Sequence, residues 1–204
     1  SITPSSILNS NFRTKVGIGK NSYDMSVLNI SGTSFGAISP PAIISLNKAA
    51  KLGGFAHNTG EGSMSKYHEE GGGDVVWQIS TGYFGCRKKN GDFCSRNFAK
   101  IAKKNQVKMI EIKISQGAKP GHGGMLLAPK VTKEIAETRG ISIGKDCVSP
   151  SKHKEFSNPD QLINFVKKLR KLSGNKPVGI KMCIGHPWEL ISIVKTMFLK
   201  KEYL

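Results

Sequence analysis

The chain has 204 residues, 38% of them hydrophobic, with 23 glycines and 9 prolines; this balance suits one globular domain with a sizeable core and excludes a disordered or collagen-like chain. No apolar run is long enough to span a bilayer as a helix, and the opening stretch "SITPSSILNSNFRTK" has no charged head followed by an apolar block, so a cytoplasmic location is expected. Lysine and arginine total 31 against 14 acids, a formal charge of +17, which suits an anionic partner or guest.

Strands alternate with helices along the chain. "SVLNIS" (26–31) reads as a short β run. In "SPPAIISLNKAAKLGG", Ser39 is the expected N-cap, Pro40 opens the helix, and Gly53 and Gly54 stop it. "GFAHNTG" follows as a strand ending in a turn, and "DVVWQIS" (74–80) as a third strand. "SRNFAKIAKKN" (95–105) is expected to be a surface helix capped by Ser95, before the fourth strand "VKMIEIKI" (107–114). A helix over "PKVTKEIAETRG" (129–140) would begin at Pro129 and stop at Gly140, and "DCVSP" (146–150) reads as a brief fifth strand.

The strongest helix pattern is "NPDQLINFVKKLRKLSG" (158–174). Asn158 caps it, Pro159 opens it, Leu162, Phe165, Val166 and Leu169 share one face, and Gly174 ends it. A sixth strand, "PVGIKMCI" (177–184), and a last helix, "PWELISIVKTMFL", complete the pattern. Repeated β-then-α with apolar strands predicts a parallel sheet covered by helices. No G-x-G-x-x-G opens a helix after the first strand, which weakens a dinucleotide-binding fold. Polar residues stand at the C-terminal end of nearly every strand instead: Ser34, Asn58, Gln78, Lys113, Ser149 and Lys181. Barrel enzymes build their sites there, so an α/β fold of the (β/α) barrel type is expected, with about six of the eight units present.

Convergent strand ends would gather Lys113, Lys119, Lys181, Glu61, Gln78, Gln116 and Asn58 among glycine-rich loops, a mouth suited to phosphates and carboxylates. A lysine in "GIKM" could also face the electron-poor edge of a flavin. The competing reading, lysines on solvated loops, stays open on composition alone. Cys86, Cys94, Cys147 and Cys183 include no C-x-x-C pair, so reduced thiols are expected and no metal or iron–sulfur site. Nucleic-acid binding, suggested only by the charge, has no recognition helix, RNA-binding sheet or zinc-finger pattern behind it.

Six stretches, in order, carry a family likeness: "SVLNISGTSFGAISPPAI", "GGFAHNTGEGS", "WQISTGYFG", "EIKISQGAKPGHGGMLLAPKVTKEIAETRG", "VSPSKH" and "VGIKM". On these the chain resembles the FMN-binding domain of glutamate synthase, above all the single-domain proteins related to its large subunit. The resemblance implies an FMN-dependent barrel in which 2-oxoglutarate and ammonia form 2-iminoglutarate, reduced by hydride from the flavin N5 to glutamate. It implies that Ser34, Phe35 and Gly36 lie along the flavin with their backbone, and that Gln78 and Lys181 touch the ring edge. Glu61, Lys113, Gln116 and Lys119 would line the dicarboxylate pocket, with Glu61 and Lys113 the catalytic pair.

Thr33 stands where the family usually has methionine, and Met125 where glutamine is frequent; both bear on the substrate rather than the flavin. The likeness divides the chain into an N-terminal extension (1–25), a partial barrel (26–197) and a divergent tail (198–204). Without the seventh and eighth units, whose loops commonly grip a cofactor phosphate, weak FMN binding by the isolated chain is expected. So is a partner chain or second copy that completes the barrel. The alternative is a remnant that keeps the motifs without turnover.

Overall fold

In the computed structural model, residues 12–116 and 123–204 are described. A β-hairpin comes first, with β1 (Arg13–Val16) antiparallel to β2 (Tyr23–Ser26). Then follow α1 (Pro40–Gly53), β3 (His57–Asn58), α2 (Lys66–Gly71), β4 (Val75–Ile79), α3 (Ser95–Ala102) and β5 (Val107–Lys113). The second half holds β6 (Met125–Leu126), α4 (Lys133–Arg139), β7 (Cys147–Val148), α5 (Pro159–Ser173), β8 (Val178–Lys181) and α6 (Pro187–Lys200). Among the described residues no helix is long and apolar enough to cross a membrane.

The fold is α/β around one parallel sheet in the order β3-β4-β5-β8. The expected six parallel strands are corrected to four. "SVLNIS" runs beside β3 but contributes a single parallel bridge, Ile30 to His57: Ile30 N–H donates to Ala56 and its carbonyl accepts from Asn58 N–H, while Ser26 ends the hairpin and Val27 and Leu28 are exposed. "DCVSP" is not a sheet strand either: Cys147–Val148 pairs antiparallel with Met125–Leu126 in a ribbon of its own. β5 and β8 are direct neighbours, so no strand can lie between them.

Helix signals fared better because caps act locally. Asn158 accepts the Gln161 N–H at 2.9 Å, and Gly174 closes α5 in the left-handed conformation. α1 starts at Pro40 behind Ser39 and closes on Gly54, φ +66°. Pro129 does not open α4; it lies in a 3₁₀ turn over Ala128–Lys130, and Thr132 caps the helix by accepting from Ile135 N–H. Cys94, not Ser95, occupies the N-cap of α3.

Side chains alternate across the sheet. Trp77 and Ile79 of β4 and Ile110 and Ile112 of β5 face a core shared with Phe98 of α3, Leu162, Phe165, Val166 and Leu169 of α5, and Ile193 of α6. Trp77 is fully buried and stacks on Phe98, ring centroids 5.2 Å apart. On the opposite face, Val76 and Met109 pack with Ala56, Tyr23 and Met25, so the hairpin closes the N-terminal end of that face with apolar side chains. Tyr23 also donates to the Asp74 carboxylate at 2.9 Å. What remains of this face, toward the strand C-termini, is polar.

Candidate functional site

Register places the polar residues side by side. Gln78 on β4 is the cross-strand partner of Glu111 on β5, and Lys113 on β5 that of Lys181 on β8. Glu111 accepts from Gln78 Nε2 at 2.6 Å and from Asn58 Nδ2 at 2.9 Å. Asn58 Oδ1 in turn accepts the Gly60 N–H at 2.9 Å. A carboxylate set between two buried isoleucines of its strand is thus satisfied by two amides. The same bonds fix which way the Gln78 amide points. Two lysines in register on adjacent strands repel unless an anion stands near.

That anion, in part, is Glu61. Its Oε2 lies 3.3 Å from the Lys113 ammonium and accepts from Ser80 Oγ at 3.1 Å. Both side chains of the pair are largely withdrawn from solvent, which strengthens their attraction. Close approach of backbone to this pair requires glycine: a Cβ at Gly124 would stand 1.7 Å from Glu61 Oε1. At Gly60, φ is +61° and a Cβ would come within 2.6 Å of Ser34 Oγ.

A cavity of about 150 Å³ opens over these groups, lined by Ser34, Glu61, Gln78, Lys113, Gln116 and Lys181 with Gly32, Gly60 and Gly124. Six of the nine residues to which the family likeness assigns a role therefore meet in one place. Lys119 lies outside the described residues. Phe35 and Gly36 do not line this cavity. The Phe35 ring packs edge-on to Tyr67 (5.2 Å) in a satellite core with Leu126, Ile135 and Cys147, and its carbonyl accepts from Arg139 Nη2 at 2.9 Å. Gly36, φ +100°, packs against Leu126, Ile135 and Arg139.

Three supporting residues were not singled out from sequence. Glu111 orients Gln78, as above. Arg139, 4% exposed, holds the carbonyl after Ser34 and so shapes that side of the cavity. His153 braces the end of β5. Tyr83 Oη accepts the N–H groups of Lys154 and Glu155 at 3.2 and 3.1 Å, so its own proton goes to His153 Nδ1 at 3.1 Å. The other ring nitrogen, Nε2, then carries the proton and donates to the Lys113 carbonyl at 2.9 Å. Burial holds His153 below the usual histidine range, which preserves this neutral tautomer, and pushes the Tyr83 hydroxyl up to about 12. An acid inside "MIEI" and the histidine of "VSPSKH" were the available signals. Each needed a partner far away in the chain to acquire meaning.

Among the described residues no group of three or more His, Cys, Asp or Glu is placed to hold a metal ion. All four cysteines are free thiols, Cys86 and Cys147 buried.

Comparison with known proteins follows the same direction. Residues 11–200 match a family model described as a conserved region in glutamate synthase. The glutamate synthase large subunit-like protein YerD of Bacillus subtilis is 42% identical over 176 residues, 86% of this chain and 33% of that protein. The archaeal-type glutamate synthase [NADPH] of Thermotoga maritima is 37% identical over 154 residues, 75% of this chain and 28% of that protein. The archaeal glutamate synthase [NADPH] of Methanocaldococcus jannaschii is 35% identical over 165 residues, 80% of this chain and 30% of that protein. The chain spans about a third of the length of these curated relatives.

Proposed function

We propose, from the premise that this chain belongs to the glutamate synthase family, that its central cavity is the substrate end of a flavin-dependent site making glutamate from 2-oxoglutarate and ammonia. The observation that carries this reading is the pairing of Lys113 with Lys181 in register, beside Glu61, Gln78 and Gln116, in one cavity. A five-carbon diacid suits a small enclosure with two adjacent ammonium groups. Lys181 has no carboxylate partner among the described residues, so one substrate carboxylate would pair there. Gln116 would donate to the same guest, and Lys119, by resemblance, would take its other carboxylate.

The residues present fit the edge of an FMN ring. Lys181 and the Gln78 amide are the donor chemistry that a reduced flavin's anionic edge calls for. The enclosed volume of about 150 Å³ is below the roughly 300–1,000 Å³ of whole-cofactor pockets, so these residues would hold the ring edge and not the entire molecule. FMN, when bound, would supply the hydride that reduces the imine carbon. Ser34 would stand at the same mouth, its carbonyl neighbour fixed by Arg139. Glu61 would pass a proton between the Lys113 ammonium and the substrate, first as the ketone oxygen leaves as water and then as the imine nitrogen becomes the amine. His153 and Glu111 would hold Lys113 and Gln78 in place.

The wider architecture would be part of a (β/α)₈ barrel. The edge of β8, unpaired among the described residues, and the exposed Trp188, Ile191, Phe198 and Leu199 of α6 support this, since parallel sheets are ordinarily covered at both faces and an unpaired edge is a template for a further strand. Further β/α units, in the remainder of a longer chain or in a partner chain, would sit there. A second reading, a chain that keeps the diacid site without turnover on its own, draws on the small enclosure and that open edge.

Calorimetric titration with 2-oxoglutarate, with and without FMN, tests both. Binding is expected and should be lost in Lys113→Ala and Lys181→Ala. Affinity unchanged in both variants would remove the diacid site, and diacid binding without FMN retention would favour the second reading.

A further inference from the structure

A second cavity, of about 630 Å³, lies apart from the first, between the loop after β4 and the segment joining α4 to β7. None of the proposed catalytic or flavin-edge residues lines it. Its walls carry Arg87, Lys88, Lys89 and Lys145, with Ser142 as a further hydroxyl donor. Among the described residues none of these four cations forms an ion pair. The one acid in the wall, Asp146, has an oxygen committed to the Ala128 N–H at 2.7 Å, where it holds the turn before α4.

The base of the cavity intensifies the field. The Arg87 guanidinium lies over the Phe84 ring at 5.6 Å, and its Nε is buried without a hydrogen-bond partner. On the same ring, 5.3 Å from its centroid, stands the guanidinium of Arg139, itself 4% exposed and also without an ion-pair partner among the described residues. Two guanidinium groups meeting at one phenyl ring raise the local potential, and low-dielectric walls focus it into the concavity.

We propose that this cavity binds a small phosphorylated polyanion with two or more phosphate groups. Four cations and one acid leave the wall near +3, and two phosphate groups carry about that much opposite charge at neutral pH. The volume lies within the usual range for small-molecule sites, and compact lysine ammonium groups suit phosphate as point charges. This site is independent of the reading of the central cavity, and either can fail without the other.

Calorimetry on the intact chain at 150 mM salt, with inorganic pyrophosphate and with ADP as separate probes, decides it. Saturable binding of at least one probe is expected, weakened ~10-fold or more in the double variant Lys88→Ala/Lys145→Ala. Thermal stability should be unchanged in that variant, because both side chains are exposed. The control Lys20→Ala/Lys171→Ala, altering exposed lysines elsewhere, should bind as the parent does. ADP binding more tightly than pyrophosphate would identify a nucleotide; equal affinities would identify the diphosphate itself as the recognised group. No binding of either probe, or an equal loss in the control pair, would overturn the proposal.

Discussion

The two cavities are both cationic, yet they are built on opposite plans. In the central one most of the charge is compensated before any guest arrives: Lys113 faces Glu61 at 3.3 Å, Gln78 and Asn58 share Glu111, and Lys181 alone in its lining is a cation without a carboxylate among the described residues. Its side chains stand on neighbouring strands, so backbone hydrogen bonds set their spacing. The outer cavity draws its cations from loops and leaves them without carboxylate partners among the described residues. Register buys pre-organisation in the first case, while in the second only proximity concentrates the charge. A guest of the central site must therefore fit a fixed arrangement, whereas binding at the outer site should weaken steeply with salt.

The comparison can be broken most forcefully from the core that both cavities rest on. Trp77→Ala should cost about 3–5 kcal/mol in chemical denaturation and abolish binding at both cavities together. A loss under about 1 kcal/mol would show that the stack on Phe98 does not hold β4 in place. Glu61→Ala separates the two plans. It strands the Lys113 ammonium beside Lys181, and a cost of about 1–3 kcal/mol is expected, below that of a fully buried pair because these side chains keep some contact with water. The outer site's affinity for pyrophosphate should stay the same, and a parallel fall there would mean the cavities are not independent.

Acid sharpens the contrast more gently. Burial lowers His57 to about 4, and burial with the charge of neighbouring His57 lowers His68 to about 3. In the unfolded chain both titrate near 6.5. A folded value below the unfolded one means the stability is fully present above pH 6.5 and is lost as pH falls toward 4 and 3. The loss should be on the order of 1 kcal/mol per pH unit for each histidine below about pH 6. His153, lowered in the same direction, adds to it and is the one of the three that touches the central site. Replacing His153 with glutamine should flatten part of the acid slope and weaken diacid binding, while leaving the outer cavity unaffected. An unaltered slope would show that its protonation is not coupled to folding.

How much of this was readable along the chain follows from the range of each signal. Asn158 caps α5 through a residue three positions on, and the apolar runs of β4, β5 and β8 carry their strand character locally, so these elements were legible. "SVLNIS" and "DCVSP" look as strand-like as the others, yet one keeps only a single bridge to β3, at Ile30, and the other paired in a separate ribbon. Pairing is a competition between distant segments, and local β character does not report its outcome. The cavity shows the same division. Glycine-flanked lysines and a family likeness pointed to Gln78, Lys113 and Lys181, but Glu111, Arg139 and His153 matter through partners dozens of residues away.

By itself the sequence determined the residue types: which segments could be helices or buried strands, where glycine had to stand, and the family to which the chain belongs. Tertiary structure alone decided that Lys113 meets Glu61 and lies beside Lys181, that Phe35 turns inward, and that Arg87, Lys88, Lys89 and Lys145 surround one hollow. The physical reason is that charge, size and backbone freedom belong to single residues. Pairing, burial and electrostatic compensation belong to distances, and distances between remote segments are set only when the sheet takes its register.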